Sequence, residues 1–136
     1  MSTNTLLADR VEIADLFARW SRLLDEHRWA DAGTVFTDDV EVHSPRIQVR
    51  GIGKVAHFLR ESEVDGEHTQ HITTDLLVDL DGDEATASAN SLVHFYRDDT
   101  PPHQTSGLHL NCILTRTPAG WRLRRTQITL AWIREG

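Results

Sequence analysis

The chain has 136 residues and a mass of 15.4 kDa, 39% of them hydrophobic and 26% charged, the proportions of a single soluble domain over residues 1–136. Fourteen basic against twenty-one acidic residues leave a net charge of −7, which argues against a nucleic-acid or anionic-membrane surface. No apolar run approaches a membrane span, no signal peptide is visible after Met1, and the lone Cys112 cannot form an internal disulfide, so a reducing cytoplasm is expected.

In chain order, Leu6, Ile13, Leu16, Phe17, Trp20 and Leu24 fall on one side of a helical wheel, opposite Glu12, Asp15, Arg19, Arg22 and Glu26. This predicts an amphipathic helix over residues 6–26. A short second helix follows over 28–36, with Trp29, Ala32, Val35 and Phe36 inward. Thr37-Asp38-Asp39 breaks it, Val40-Glu41-Val42 is a short strand, and Ser44-Pro45 ends that strand. Gly51-Ile52-Gly53 opens a third helix carrying Val55, Phe58 and Leu59. The second half reads as strands: 70–80, a tight Asp81-Gly82 turn, 85–97, then 106–117 and 121–133 around Pro118-Ala119-Gly120. In the last strand the apolar phase changes from odd (Trp121, Leu123) to even (Ile128, Leu130, Trp132), which predicts a bulge. Helices first and an antiparallel sheet afterwards define an α+β fold, one curved sheet wrapped on about three helices.

Several chemistries have weak support in the residues. Lys54 is the only lysine, in a helix-like segment, and Cys112 lies in an apolar strand, so Schiff-base and thiol catalysis are not expected. His68-x-x-His71 lacks the spacing of a helical zinc pair and no cysteine pair supports it, so no metal or other cofactor is expected. What stands out is the number of histidines, eight in all. Asp25 lies in the last turn of the first helix, where the dipole disfavours a carboxylate by about 0.3–1 kcal/mol when exposed. It reads either as a surface acid beside Glu26 or as a carboxylate at a pocket edge. His71, His94 and Asn111 are out of phase with the main apolar positions of their strands, and His109 shares a face with Asn111. Either that face is solvated or it lines a partly polar cavity. Leu77, Leu92 and Ile113 occupy the same phases, which makes free solvation less natural.

The run Leu23-Leu24-Asp25-Glu26-His27-Arg28-Trp29 into Val35-Phe36-Thr37-Asp38-Asp39-Val40 resembles the opening of SnoaL-like domains of the nuclear transport factor 2-like superfamily. Thr69-Gln70-His71, the Val93-His94 strand, and Asn111 ahead of Gly120-Trp121 also resemble scytalone dehydratase. Asp25 and His71 are similar to the aspartate–histidine dyad of hexachlorocyclohexane dehydrochlorinase and related dehydratases. The resemblance implies a cone-shaped α+β barrel enclosing an apolar pocket. It implies that Asp25 orients His71, which takes a proton from the substrate, and that His94 acts as an acid on a departing hydroxide. Asn111 would hold a substrate oxygen, and Leu24, Ser44, Trp20, Phe36, Tyr96 and His109 complete the implied substrate-binding set. By eye, Leu24 and Ser44 fall where scytalone dehydratase has its two tyrosines, and Tyr96 is the only tyrosine here, so scytalone itself is not the expected substrate. The expectation is a cofactor-independent dehydratase or cyclase acting on a small, largely apolar carbonyl compound. An isomerase with the same dyad and a non-catalytic binding module are the alternatives. The apolar residues on the sheet's outer phase add a homodimer.

Overall fold

A computed structural model describes residues 3–136. Its elements are α1 (Thr3–Asp25), a short 3-10 helix (Trp29–Thr34), β1 (Phe36–His43), β2 (Gln48–Arg50), α2 (Ile52–Glu61), β3 (His68–Asp81), β4 (Glu84–Tyr96), β5 (Gln104–Thr117) and β6 (Gly120–Glu135). The strands form one curved mixed sheet in the order β2-β1-β6-β5-β4-β3. All neighbours are antiparallel except β1, which runs parallel to β6.

The α+β layout and the order of elements follow the sequence pattern, with three differences. The second helix is a six-residue 3-10 segment, so the helical layer holds two α-helices. Its Gly33-Thr34 end and the β-branched Val35 disfavour longer helix. β1 begins at Phe36, so Thr37-Asp38-Asp39 lies within the strand, because β6 supplies a parallel partner; the register is irregular between Phe36 and Glu41. Strand β2 gives no periodic signal at three residues and exists by pairing with β1.

The predicted change of phase in β6 is present. Leu114 pairs with Leu123 but Ile113 pairs with Arg125, so Arg124 is an extra residue. A second bulge follows: Leu108 pairs with Leu130 while Gly107 pairs with Trp132. Trp132 is thereby turned to the outer face, half exposed, and corrects its expected phase with Ile128 and Leu130. Its ring covers Gly107 so closely that a Cβ there would lie 2.3 Å from it.

Helix α1 buries Ile13, Leu16, Phe17, Trp20 and Leu23 against the inner face of the sheet. On β4 that face is narrow, Ala85, Ala87 and Ala89, which leaves room for Phe17, Trp20 and Trp121 in the same core. Polar contacts set where the helix lies along β3: Arg10 donates to the Val78 carbonyl at 2.7 Å, and the Ser21 and Thr73 hydroxyls meet at 3.4 Å. At the N-terminal half Asp9, 4% exposed, is clamped by the two terminal guanidinium nitrogens of Arg116 (2.8 and 2.7 Å) and by Trp121 Nε1 (3.1 Å). The Arg116 hydrogen bonds hold the Asp9 carboxyl below its ordinary range, against the opposing effect of burial. Cys112 is buried, and burial pushes its thiol up to about 12. No helix among the described residues is long and apolar enough to cross a membrane.

Candidate active site

The last residue of α1 is Asp25. The chain leaves the helix through His27 in the left-handed region (φ 55°), and Arg28 N–H returns to the Leu23 carbonyl at 2.9 Å. This is the helix ending that glycine usually fills. It turns the following segment away, and the Asp25 carboxylate meets β3.

Three donors from β3 converge on that carboxylate. His71 Nδ1 lies 2.5 Å from Oδ1, the His71 backbone N–H donates to Oδ2 at 2.9 Å, and Thr69 Oγ1 donates to Oδ1 at 2.9 Å. Both side chains of the pair are mostly buried, with 21% of Asp25 and 17% of His71 exposed. Burial pushes the Asp25 pKa up, but the bonds from the His71 ring and backbone, the His71 charge and the Thr69 hydroxyl outweigh it, and the net result is lowered. Asp25 is therefore an anion at neutral pH. An ionised carboxylate only accepts, so Nδ1 carries the proton and Nε2 is left as the basic nitrogen.

His71 faces the interior because β3 is bulged. Thr74 pairs with Asn90 and Leu77 with Ser88, so Asp75 (φ 56°) and Leu76 together oppose Ala89. Below the bulge Leu76, Val78 and Leu80 pack on the core; above it Thr69, His71 and Thr73 take that face and Ile72 turns out. The bulge separates His71 from the residues grouped with it by phase alone.

His71 lines an open-mouthed cavity of about 490 Å³. Leu24, Val93, Leu108, Ile128, Leu130 and Ile133 make an apolar wall; Ser44, Pro45, Arg46, Leu59 and the Ser62–Val64 segment form the mouth. At that mouth His27 stacks on Trp29 (5.3 Å) and its Nδ1 lies 3.6 Å from Glu63, which also accepts the Trp29 indole N–H. Arg46 lies over the Phe58 ring at 5.3 Å, and Glu67 is 3.4 Å from His103 Nε2.

Of the other expected site residues, Leu24 and Ser44 line this cavity. His94, His109 and Asn111 do not. Each neighbours an inward residue on its strand (Val93, Leu110, Cys112) and so lies on the outer face, with Leu77, Leu92 and Ile113. There His94 Nδ1 meets Thr105 Oγ1 at 2.9 Å and His109 Nδ1 meets Asn90 Oδ1 at 2.9 Å. Trp20 and Phe36 are core residues packed edge to face, with ring centroids 6.3 Å apart, and Tyr96 packs against His68 outside the cavity. Thr69, known from sequence only as part of the Thr69-Gln70-His71 run, and Ser106 are not among the expected site residues. Thr69 is two residues before His71 and so shares its face, and Ser106 interrupts an inward apolar alternation with Leu108 and Leu110. Among the described residues no group of three or more His, Cys, Asp or Glu is placed to hold a metal ion.

One curved mixed sheet wrapped on a long helix, with an open cavity lined by His71, is the architecture of a small α+β cone domain. The chain belongs to the SnoaL-like domain family, whose model matches residues 5–127. Its fold is that of a nuclear transport factor 2-like protein with a cystatin-like fold from Novosphingobium aromaticivorans (TM-score 0.76, 29% identity, covering 93% of this chain and 84% of that one). It is also that of a scytalone dehydratase-like protein of the same organism (TM-score 0.86, 16% identity, 99% and 92% covered). A type 2 hexachlorocyclohexane dehydrochlorinase is similar in fold as well (TM-score 0.84, 16% identity, 99% and 93% covered). No curated protein matches the chain.

Proposed function

We propose that this protein is a cofactor-independent dehydratase or cyclase in which Asp25 and His71 move a proton on a small, largely apolar carbonyl compound. The observation that carries the reading is the hydrogen-bonded pair itself, 2.5 Å from Nδ1 to Oδ1, beside an apolar cavity. Asp25 fixes the tautomer and stabilises the imidazolium that forms. His71 Nε2 takes a proton from the carbon next to the carbonyl, and the C–H electron pair becomes an enolate.

In a dehydration the enolate expels the β-hydroxyl. The imidazolium returns its proton to the departing oxygen, so that water leaves, a C=C bond forms and His71 ends neutral. With His94 on the outer face, His71 serves as both base and acid. In a cyclisation the enolate carbon attacks a second carbonyl, and the resulting alkoxide takes the proton back. The same one-base arrangement favours a second reading, isomerisation, in which the proton returns to a different carbon. The test is incubation with ring-bearing β-hydroxy ketones, followed by the rise of enone absorbance. The wild type forms enone, and Asp25→Asn and His71→Ala do not; full turnover in both variants contradicts the proposal.

A further inference from the structure

Four hydroxyl side chains line the cavity: Ser44, Ser62, Thr69 and Ser106. Three have partners. Ser44 Oγ accepts the backbone N–H groups of Arg46 and Ile47, Ser62 Oγ donates to the Phe58 carbonyl, and Thr69 Oγ1 donates to Asp25. Ser106 is the most buried polar residue of the lining, 8% exposed, and among the described residues its hydroxyl has no such partner. Its oxygen is not sealed from the cavity, since the buried side-chain atoms without a hydrogen-bond partner among the described residues are His68 Nε2 and Thr126 Oγ1, so the Ser106 hydroxyl is open to a group supplied from outside.

Its position relative to His71 is fixed by strand register. His71 pairs directly with Val93, and Val93 pairs directly with Ser106. The three side chains rise from one face of adjacent strands, with His71 and Ser106 two strand spacings apart, about 10 Å at the backbone. Next to Ser106 on that face lie Leu108 and, across the strand pair, Ile133. A molecule resting on Val93 meets the imidazole at one side and the hydroxyl at the other.

We propose that Ser106 selects the substrate: its hydroxyl donates a hydrogen bond to a carbonyl-type oxygen of a compound whose remaining surface is apolar. This rests on the reading of Asp25–His71 as the proton-transfer pair. When His71 Nε2 removes the neighbouring C–H proton, the electron pair shifts into a C=C bond and negative charge collects on the oxygen that Ser106 faces. Between His71 and Ser106 the ligand rests on Val93, Leu108 and Ile133, so the part of it that spans these two groups is apolar.

The test uses 2-tetralone and its hydrocarbon counterpart tetralin, titrated into the intact protein and followed by NMR, with α-proton exchange of the ketone in D₂O recorded alongside. The wild type binds the ketone more tightly, by about three- to tenfold, the range of one neutral hydrogen bond. Ser106→Ala loses this preference and keeps its affinity for tetralin, while His71→Ala keeps the preference and loses exchange. A preference unchanged in Ser106→Ala, or a wild type that prefers neither compound or binds neither, overturns the proposal. If the preference depends on Ser106 but the wild type exchanges no α-proton, the oxygen contact stands and the dyad reading fails. Exchange that needs His71, beside a preference indifferent to Ser106, has the opposite meaning.

Discussion

Asp25 and His71 are joined twice, ring Nδ1 to Oδ1 at 2.5 Å and backbone N–H to Oδ2 at 2.9 Å. The double attachment makes the carboxylate part of the sheet as well as of the helix. The backbone N–H and the Thr69 hydroxyl hold the carboxylate in place on β3, so the ring that turns away loses its bond to a fixed acceptor. The orientation of the site and the docking of the helix are one arrangement.

Asp25→Asn keeps an acceptor for the backbone N–H but replaces the anion that holds Nδ1–H. The loss in rate should be about a hundredfold or more, the usual worth of a positioned base. Circular dichroism should show the fold retained. Activity close to wild type would contradict the assignment of Asp25.

Thr69 acts through Asp25 and is a positioning residue. Thr69→Val keeps the shape of the side chain and removes one of the bonds that lower the Asp25 pKa. The Asp25 carboxyl should titrate at higher pH in a ¹³C NMR titration of the variant, with kcat reduced several-fold and KM little changed. An unmoved Asp25 titration would show that the hydroxyl contributes nothing to the pair.

Much of this was legible in the residues. The helix stripe of Ile13, Leu16, Phe17 and Trp20 and the first change of phase in β6 are local patterns, and the structure follows them; the tight turn comes one residue later than its Asp81-Gly82 signal, at Gly82-Asp83, with Asp81 paired to Glu84. The pairing of Asp25 with His71 rested on family likeness, since nothing local links a helix end to a strand 46 residues on. The bulge at Asp75–Leu76 was illegible because it carries no glycine; an aspartate takes the left-handed position. That one extra residue turns His71 inward and removes it from the company of His94 and Asn111. Asp9 was hidden for a different reason: its partner Arg116 is 107 residues away.

The Asp9–Arg116 pair holds the N-terminal half of α1 to the β5–β6 hairpin. Arg116→Met leaves a buried carboxylate with Trp121 Nε1 as its remaining donor, and should cost about 3–5 kcal/mol in urea unfolding. The double variant Asp9→Leu with Arg116→Met should be far less destabilised. Equal losses in both would mean that packing, not charge burial, dominates there.

Both Asp9 and Asp25 have folded-state pKa values lowered from 3.8, so each contributes stability that is fully present above that value. The contribution is lost as pH falls through the lowered values. Unfolding midpoints should thus be flat with respect to these groups above about pH 5 and fall on further acidification. In Asp9→Asn that decline should be shallower; an identical profile would deny the linkage.

The outer face of the sheet exposes Ile72, Leu77 and Trp132. We propose that a second copy of the chain covers this face. Light scattering should give twice the 15.4 kDa chain mass, and Leu77→Glu with Trp132→Glu should halve it. A wild type of 15.4 kDa alone contradicts the dimer.

The central claim, that His71 held by Asp25 moves a proton on a carbonyl compound, is tested most directly by deuterium entry into the α-carbon of 2-tetralone in D₂O, followed by ¹H NMR. The account predicts exchange well above the buffer rate with the wild type, reduced to that rate in His71→Ala and nearly so in Asp25→Asn. Wild-type exchange no faster than buffer, or equal exchange in all three proteins, would contradict it.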